Sequence, residues 1–320
     1  MTSAPRRARV DALAKINLGL KVLQKRADGY HELRTVYQTI SLADTIDVEF
    51  NPARRTSIEL TSDLEIADNL VLRAARLAMD AMRASGQVRF RLKKRIPIGA
   101  GLGGGSSDAA AVLLALPALA GKRIPGDVLV RLAGELGSDV PFFLLGGTAL
   151  GVGRGSEAYP LPDLPRSRGL LVAPDIHVST SEAYQALGRN LTFEPQRNMI
   201  SSFQSWVWRS EVGVSEECGL LSAGNDFEPV VFRLHPRLRT IKARLRKVGA
   251  EPAMLTGSGS ALFGLFRTRE KLEAALPLFQ KEKAFPFVFV SRASYRALWR
   301  RRLGLHIEEE LWPPQNRDAS

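Results

Sequence analysis

One stretch constrains this chain more than any other: the glycine-rich run Pro97-Ile98-Gly99-Ala100-Gly101-Leu102-Gly103-Gly104-Gly105-Ser106-Ser107, which lies between a strand-like segment and a strongly helical one. Five of the seven residues from Gly99 to Gly105 are glycine. Ordering such a run is entropically expensive, so it persists where something must approach the backbone closely. Bare peptide N–H groups at the start of a helix suit a phosphate, and the helix end adds partial positive charge. Ser106 and Ser107 can cap the helix or bind a phosphate oxygen or a water on Mg²⁺. Two familiar phosphate loops are a poor match. A Walker A loop would close on Gly-Lys-Ser/Thr, and this one closes on Gly-Ser-Ser. The dinucleotide spacing is met at Gly99, Gly101 and Gly104, but Pro97 intervenes after the strand. The region near Gly121 and Lys122 also lacks the strand and acid that this fingerprint requires.

Strand patterns dominate the first fifty residues, over Arg9–Ala12, Asn17–Leu23, Leu33–Ile40 and Ile46–Phe50, with a turn at Ala27-Asp28-Gly29-Tyr30. Ser57–Leu60 reads as a further strand. Asp68 and Asn69 read as the cap of a helix running to about Ala84, and Val88–Leu92 as a strand. Helices follow at Ala109–Leu119 and Pro125–Leu136, then strands at Leu144–Val152 and Gly169–Ala173. The Pro-rich segment Pro160–Arg168 reads as a seam between lobes. Glu228–Val248 is helical with a break at Pro236. Ala253–Thr256 and Ala261–Phe266 form a hairpin, Glu270–Glu282 is helical, and Phe287–Val290 is the last strand. Strands followed by mixed elements argue for an α+β fold with two lobes. The boundaries expected are 1–160, 161–292 and a basic-then-acidic C-terminal tail over 293–320.

Composition narrows the partners. Of 320 residues 45% are hydrophobic, yet no apolar run approaches the roughly 20 residues of a membrane span. Lys15 and Asn17 interrupt the segment where a secretory signal would need unbroken apolar residues. Cys218 is the single cysteine, which excludes an intrachain disulfide and fits a reducing, cytoplasmic setting. The net charge of +12 raises nucleic acid as a partner. Against it, the basic residues are scattered, with local clusters at Lys93–Arg95, Arg237–Lys247 and Arg300–Arg302 and no zinc-finger or RNP pattern. A cleft for anionic small molecules accounts for part of the charge. His177, His235 and His306 show no ligand-like spacing, and Asp226 and Glu228 read as structural.

The loop Pro97–Ser107 resembles the second motif of the GHMP kinases. Ala14-Lys15-Ile16-Asn17-Leu18 is similar to their first motif and Leu255-Thr256-Gly257-Ser258-Gly259-Ser260-Ala261 to their third, in the right order. Within that superfamily the chain resembles the diphosphocytidyl-methylerythritol kinases, on Arg26-Ala27-Asp28-Gly29-Tyr30-His31 with Gln38, on Asp68-Asn69-Leu70, on Gly137-Ser138-Asp139-Val140-Pro141 and on Asn225-Asp226-Phe227-Glu228. The resemblance implies a two-lobed GHMP kinase fold, its N-terminal lobe like domain 2 of ribosomal protein S5 and its C-terminal lobe ferredoxin-like. It also implies ATP and Mg²⁺ as cofactors and phosphorylation of the 2-hydroxyl of a diphosphocytidyl-methylerythritol on the non-mevalonate route to isoprenoid precursors.

Residue by residue, the resemblance makes Asp139 the general base and Lys15 its electrostatic partner. It makes Gly99–Ser107 the triphosphate cradle, with Asn69 and Lys94 near the base and ribose of ATP. Tyr30, His31 and Tyr184 fall to the cytidine end of the acceptor, and Asn17 to its hydroxyl or phosphate. No dedicated protein metal site is expected, because Mg²⁺ in such enzymes is held mainly by the nucleotide and one or two further groups. Two alternatives stand beside this reading. A sibling kinase for mevalonate, homoserine or a sugar would have no use for the Tyr30–His31 pair. A basic nucleic-acid-binding relative without chemistry would not need Lys15 and Asp139.

Overall fold

The computed structural model of the chain describes residues 5–188, 224–308 and 311–314. Cys218 and Glu310 lie outside them, as does the end of the tail from residue 315. The expected α+β, two-lobed architecture is present. Two long antiparallel strands, β1 (Arg6–Lys25) and β2 (His31–Pro52), replace the four short ones expected. Register shifts at Leu13/Lys15 and Asn17/Gly19 interrupt the alternation locally without ending the ladder. The turn between the strands has Gly29 at φ 85°, as its Asp-Gly pair anticipates.

The C-terminal half of β2 pairs with β4 (Gly86–Lys93), which also pairs in parallel with β3 (Ser57–Ser62). The other half of β2 pairs with β5 (Thr148–Gly153), and β6 (Glu157–Pro160) closes that edge. Helices α1 (Leu70–Ala81), α2 (Gly104–Ala120) and α3 (Gly126–Leu136) cover one face of this sheet. Residues Leu144–Leu145, expected to begin a strand, instead end the short helix α4 (Val140–Leu145). Phe142, Phe143 and Leu144 are buried there, and a short apolar run alone does not distinguish a helix from a strand.

The second lobe is a four-stranded antiparallel sheet in the order β10-β7-β9-β8. Its strands are β7 (Arg168–Ala173), β8 (Ala253–Leu255), β9 (Leu262–Phe266) and β10 (Lys283–Val288). The helices between them are α5 (Thr180–Gly188), α6 (Glu228–Leu234), α7 (Pro236–Lys247) and α8 (Arg269–Ala275). Helices after the first and third strands give the β-α-β-β-α-β order of a ferredoxin-like lobe. Between the lobes, Ala14, Ile16 and Leu18 of β1 pack with Leu171, Met254, Phe263 and Phe287. Coverage on both faces explains the unbroken burial from Ala12 to Leu20.

Residues 293–303, read from sequence as the start of a tail, lie in helix α9 (Arg292–Leu303). Its Tyr295, Trp299 and Leu303 join the core of the first lobe, and the Tyr295 hydroxyl donates to the Phe143 carbonyl at 2.6 Å. The Arg292 guanidinium adds hydrogen bonds to the Leu161 and Thr148 carbonyls. Among the described residues no helix is long and apolar enough to cross a membrane.

Candidate active site

A cavity of about 1140 Å³ opens between the lobes, lined by Lys15, Asn17, Tyr30, His31, Gly101, Ser106, Asp139 and Tyr184 among others. Lys15 and Asn17 alternate along β1 with the apolar seam residues Ala14, Ile16 and Leu18, so a period of two turns both polar side chains toward the cavity. Lys15 Nζ stands 3.3 Å from Asp139 Oδ2, with its side chain only 4% exposed against 28% for Asp139. The same ammonium donates to Asn17 Oδ1 at 2.8 Å. Asn17 Nδ2 in turn donates to Thr35 Oγ1 at 2.7 Å, which sets the orientation of the amide.

Asp139 occupies the N-cap position of α4, but its carboxylate makes no capping hydrogen bond there. Instead the Tyr37 hydroxyl donates to Asp139 Oδ1 at 3.0 Å. Burial, and then the charge of Asp139, push the Tyr37 phenol well above its usual range, so it remains a donor. Sequence reasoning missed Tyr37. The available signal was its period-two relation to Thr35 on β2, which puts both polar groups on one face.

The glycine loop is built by its own glycines and by its neighbours. Gly99, Gly101 and Gly103 have φ of 67°, 78° and 67°, a region that side chains disfavour. A Cβ on Gly101 would collide with the Thr256 carbonyl, so the loop lies directly against the second glycine loop. Ala100 and Leu102 anchor it in the seam at 4% and 1% exposure, leaving only their backbone for a ligand. Gly103 is the left-handed cap of α2, and Gly104 and Gly105 begin the helix. Ser106 lines the cavity, whereas the Ser107 hydroxyl donates to the Leu13 carbonyl at 2.7 Å. Ile98 is 60% exposed beside Pro97 at the loop entrance.

At the far end of the cavity the aromatic residues meet one another. The His31 and Tyr184 rings stack at 4.9 Å and 19°, and Tyr184 meets Phe227 edge-on. Tyr30 is 55% exposed, with the Arg154 guanidinium 4.7 Å from its ring centre. Arg154, which also lines the cavity, carried no sequence signal beyond its place in a glycine-bounded turn. Burial lowers the His31 pKa, with Lys25 adding to the effect, so the imidazole is neutral near pH 7. Burial and the charge of Asp139 push Tyr184 up to about 12.

Asn69 and Lys94 are not brought to this cavity. Asn69 caps α1, its side chain accepting from Val71 N–H at 3.0 Å. Lys94 is buried in an ion cluster with Asp44 and Asp108, 2.7 Å from the latter. There burial and the neighbouring Asp44 raise the Asp108 carboxyl to about 7 against the opposing pull of Lys94. Asp226 pairs with Lys21 at 2.8 Å, and Glu228 accepts from Leu255 N–H at 2.9 Å, both joining segments of the fold.

Known proteins resemble this chain along most of its length. Residues 69–147 match the GHMP kinases N terminal domain and residues 214–279 the GHMP kinases C terminal family. The chain is 57% identical over 319 residues to a 4-diphosphocytidyl-2-C-methyl-D-erythritol kinase of Solibacter usitatus, covering 98% of this chain and 99% of that one. It is 42% identical over 258 residues to the enzyme of that name from Moorella thermoacetica, covering 79% and 88%. A crystal structure of a 4-(cytidine 5'-diphospho)-2C-methyl-D-erythritol kinase superposes with a TM-score of 0.73 at 37% identity, covering 88% and 98%. A homoserine kinase from Cytophaga hutchinsonii shares the fold, with a TM-score of 0.68 at 18% identity over 91% and 96% of the two chains. With such identity along nearly its whole length, the chain belongs to the 4-diphosphocytidyl-2-C-methyl-D-erythritol kinases, small-molecule kinases of the GHMP superfamily.

Proposed function

We propose that the chain transfers the γ-phosphoryl group of ATP to the 2-hydroxyl of 4-diphosphocytidyl-2-C-methyl-D-erythritol. The observation that carries this reading is Asp139, held between Lys15 at 3.3 Å and the Tyr37 hydroxyl at 3.0 Å, in a cavity that is also lined by Gly101 and Ser106 of the glycine loop and by Tyr30, His31 and Tyr184. A carboxylate keeps lone pairs free beyond two such contacts. Asp139 accepts the proton of the acceptor hydroxyl as its oxygen attacks the γ-phosphorus. The bond from the γ-phosphorus to the β–γ bridging oxygen breaks, ADP leaves, and Asp139 returns its proton to solvent. The buried ammonium of Lys15, 3.3 Å from the Asp139 carboxylate, offsets charge developing on the alkoxide.

The start of the 17-residue helix α2 receives the triphosphate, with Gly101 and Ser106 facing it across the cavity. Among the described residues no group of three or more His, Cys, Asp or Glu is placed to hold a metal. Mg²⁺ would enter with the nucleotide, with Ser106 and Asp139 the nearby oxygen donors on the protein, and would neutralise charge on the phosphoryl oxygens. Asn17, oriented by Thr35, positions the acceptor hydroxyl. Neutral His31 offers one ring donor and one acceptor to the base edge, with Tyr30 and Tyr184 as stacking faces. The deciding experiment incubates the protein with Mg-ATP and a panel of alcohols and weighs the products. A mass gain of one phosphoryl group on the cytidine-bearing alcohol alone is expected. Preferential phosphorylation of mevalonate, homoserine or a sugar would refute the assignment.

A further inference from the structure

The buried ion cluster beside the loop has a geometry that points to a purpose. Its members come from three places: Asp44 from β2, Lys94 from the residue just past β4 and Asp108 from the second turn of α2. The loop leaves the sheet just after Lys94 and enters the helix just before Asp108, so the pair closes the loop at its neck. Their side chains are 4%, 0% and 3% exposed for Lys94, Asp44 and Asp108. Lys94 Nζ bonds Asp44 and reaches Asp108 Oδ2 at 2.7 Å. Asp44 Oδ1 also accepts the backbone N–H groups of Arg95 and Ile96, at 2.5 and 2.8 Å, which are the first residues beyond the neck. Gly104 lies over the cluster, where a Cβ would stand 3.4 Å from Lys94 Nζ and 3.0 Å from Ile96 Cγ2.

A buried ion pair adds little stability over an apolar replacement of the same shape. This one is also unbalanced, with two carboxylates to one ammonium, and Asp108 Oδ1 is buried without a hydrogen-bond partner. Stability alone therefore explains it poorly. Geometry explains it better, since directional bonds to both ends of a loop fix its shape where apolar packing would allow it to slide.

We propose that Asp44, Lys94 and Asp108 are positioning residues that staple the neck of the glycine loop into its nucleotide-receiving shape, Lys94 acting through the loop without touching the nucleotide. The inference rests on the reading of that loop as the phosphate cradle. It predicts that cutting the staple harms the nucleotide end of the cavity and spares the acceptor end.

The test compares Asp108→Ala, which cuts the staple, with Asp108→Asn, which keeps an acceptor for Lys94. A Lys94→Met/Asp108→Leu double variant removes the staple while filling its space, in case Asp108→Ala folds poorly. Calorimetry with a non-hydrolysable ATP analogue and Mg²⁺ should show about tenfold weaker binding for Asp108→Ala and for the double variant. Asp108→Asn should stay within about threefold of wild type. KM for the cytidine-bearing alcohol should stay within about twofold throughout, and amides of residues 99–107 should exchange faster in Asp108→Ala. A folded double variant that binds the analogue like wild type would overturn the proposal, as would equal losses for both substrates. Wild-type protein that binds the analogue but leaves the alcohol unphosphorylated would overturn the proposed reaction and leave this inference standing.

Discussion

The two ends of the cavity are built on opposite principles. At the glycine loop, backbone geometry and buried neighbours set the shape: three glycines at positive φ, Ala100 and Leu102 sunk in the seam, and an ion cluster at the neck. At the aromatic end, side chains set it, and they occupy one another. His31 lies on Tyr184, and Arg154 covers a Tyr30 ring that is still 55% exposed. A triphosphate can meet a loop that is already formed. A base must displace contacts the protein makes with itself, so its net gain is a difference between two stacks. On the proposed reading, preorganisation is concentrated where charge is held in flight, and adaptability where a neutral ring is recognised.

Asp139 stands at the junction, and its loss should have the largest effect. Asp139→Asn preserves shape and removes the proposed base, so kcat should fall by roughly 10²–10⁴ while the melting transition moves little. Retention of more than half the wild-type turnover would remove Asp139 from the chemistry and with it the boundary between the two ends.

Tyr30→Ala tests the aromatic end alone. Stacking of a base on an aromatic is worth about 1–3 kcal/mol by alanine substitution, or about ten- to a hundredfold in KM for the cytidine-bearing substrate. KM for ATP should hardly change. Equal losses for both substrates would show that Tyr30 supports the fold instead of the base.

Gly105→Ala tests the loop end with unusual selectivity. Gly104 is a poor probe, because a side chain there would press on Ile96 and Lys94. Gly105 is exposed in the first turn of α2, and a Cβ there meets only Leu70 at 3.7 Å. Alanine should raise helix stability by roughly 0.5–1 kcal/mol, yet weaken ATP binding about tenfold, near 1.4 kcal/mol, if phosphates approach this turn. An unchanged nucleotide affinity in calorimetry would move the cradle elsewhere.

The smallest effect should come from pH. The His31 pKa is lowered by burial and by Lys25, so protonation lies below the ordinary histidine range. KM for the cytidine substrate should therefore be flat from pH 7 upward and rise only on acidification below that range. The rise should be about threefold, the low end of one neutral hydrogen bond. It should vanish in His31→Gln, and a KM profile unaltered by that substitution would exclude His31 from base recognition.

Much of this was legible in one dimension. Three glycine or lysine motifs in order, a strong Ala/Leu helix after the loop and the Asp-Gly turn each depend on residues within about ten positions of one another. Local propensity and backbone conformation act over that range, so a single sequence carries them. It also carried the candidate pair Lys15 and Asp139, through resemblance to family motifs.

The choice of partners was decided only by the tertiary structure. Tyr37 reaches Asp139 across a sequence separation of 102, and Lys94 bonds carboxylates 14 and 50 positions away. Nothing local distinguishes a lysine facing solvent or a nucleotide from one buried between two aspartates. Asn69 likewise had one side chain for two roles, and the cap of α1 holds its carbonyl oxygen. Residues from 293 onward read in one dimension as a charged tail, yet Tyr295, Trp299 and Leu303 pack in the first lobe. A helix that is polar on average still folds back when its few large apolar residues share one face, and whether a complementary surface awaits them is a property of the whole fold.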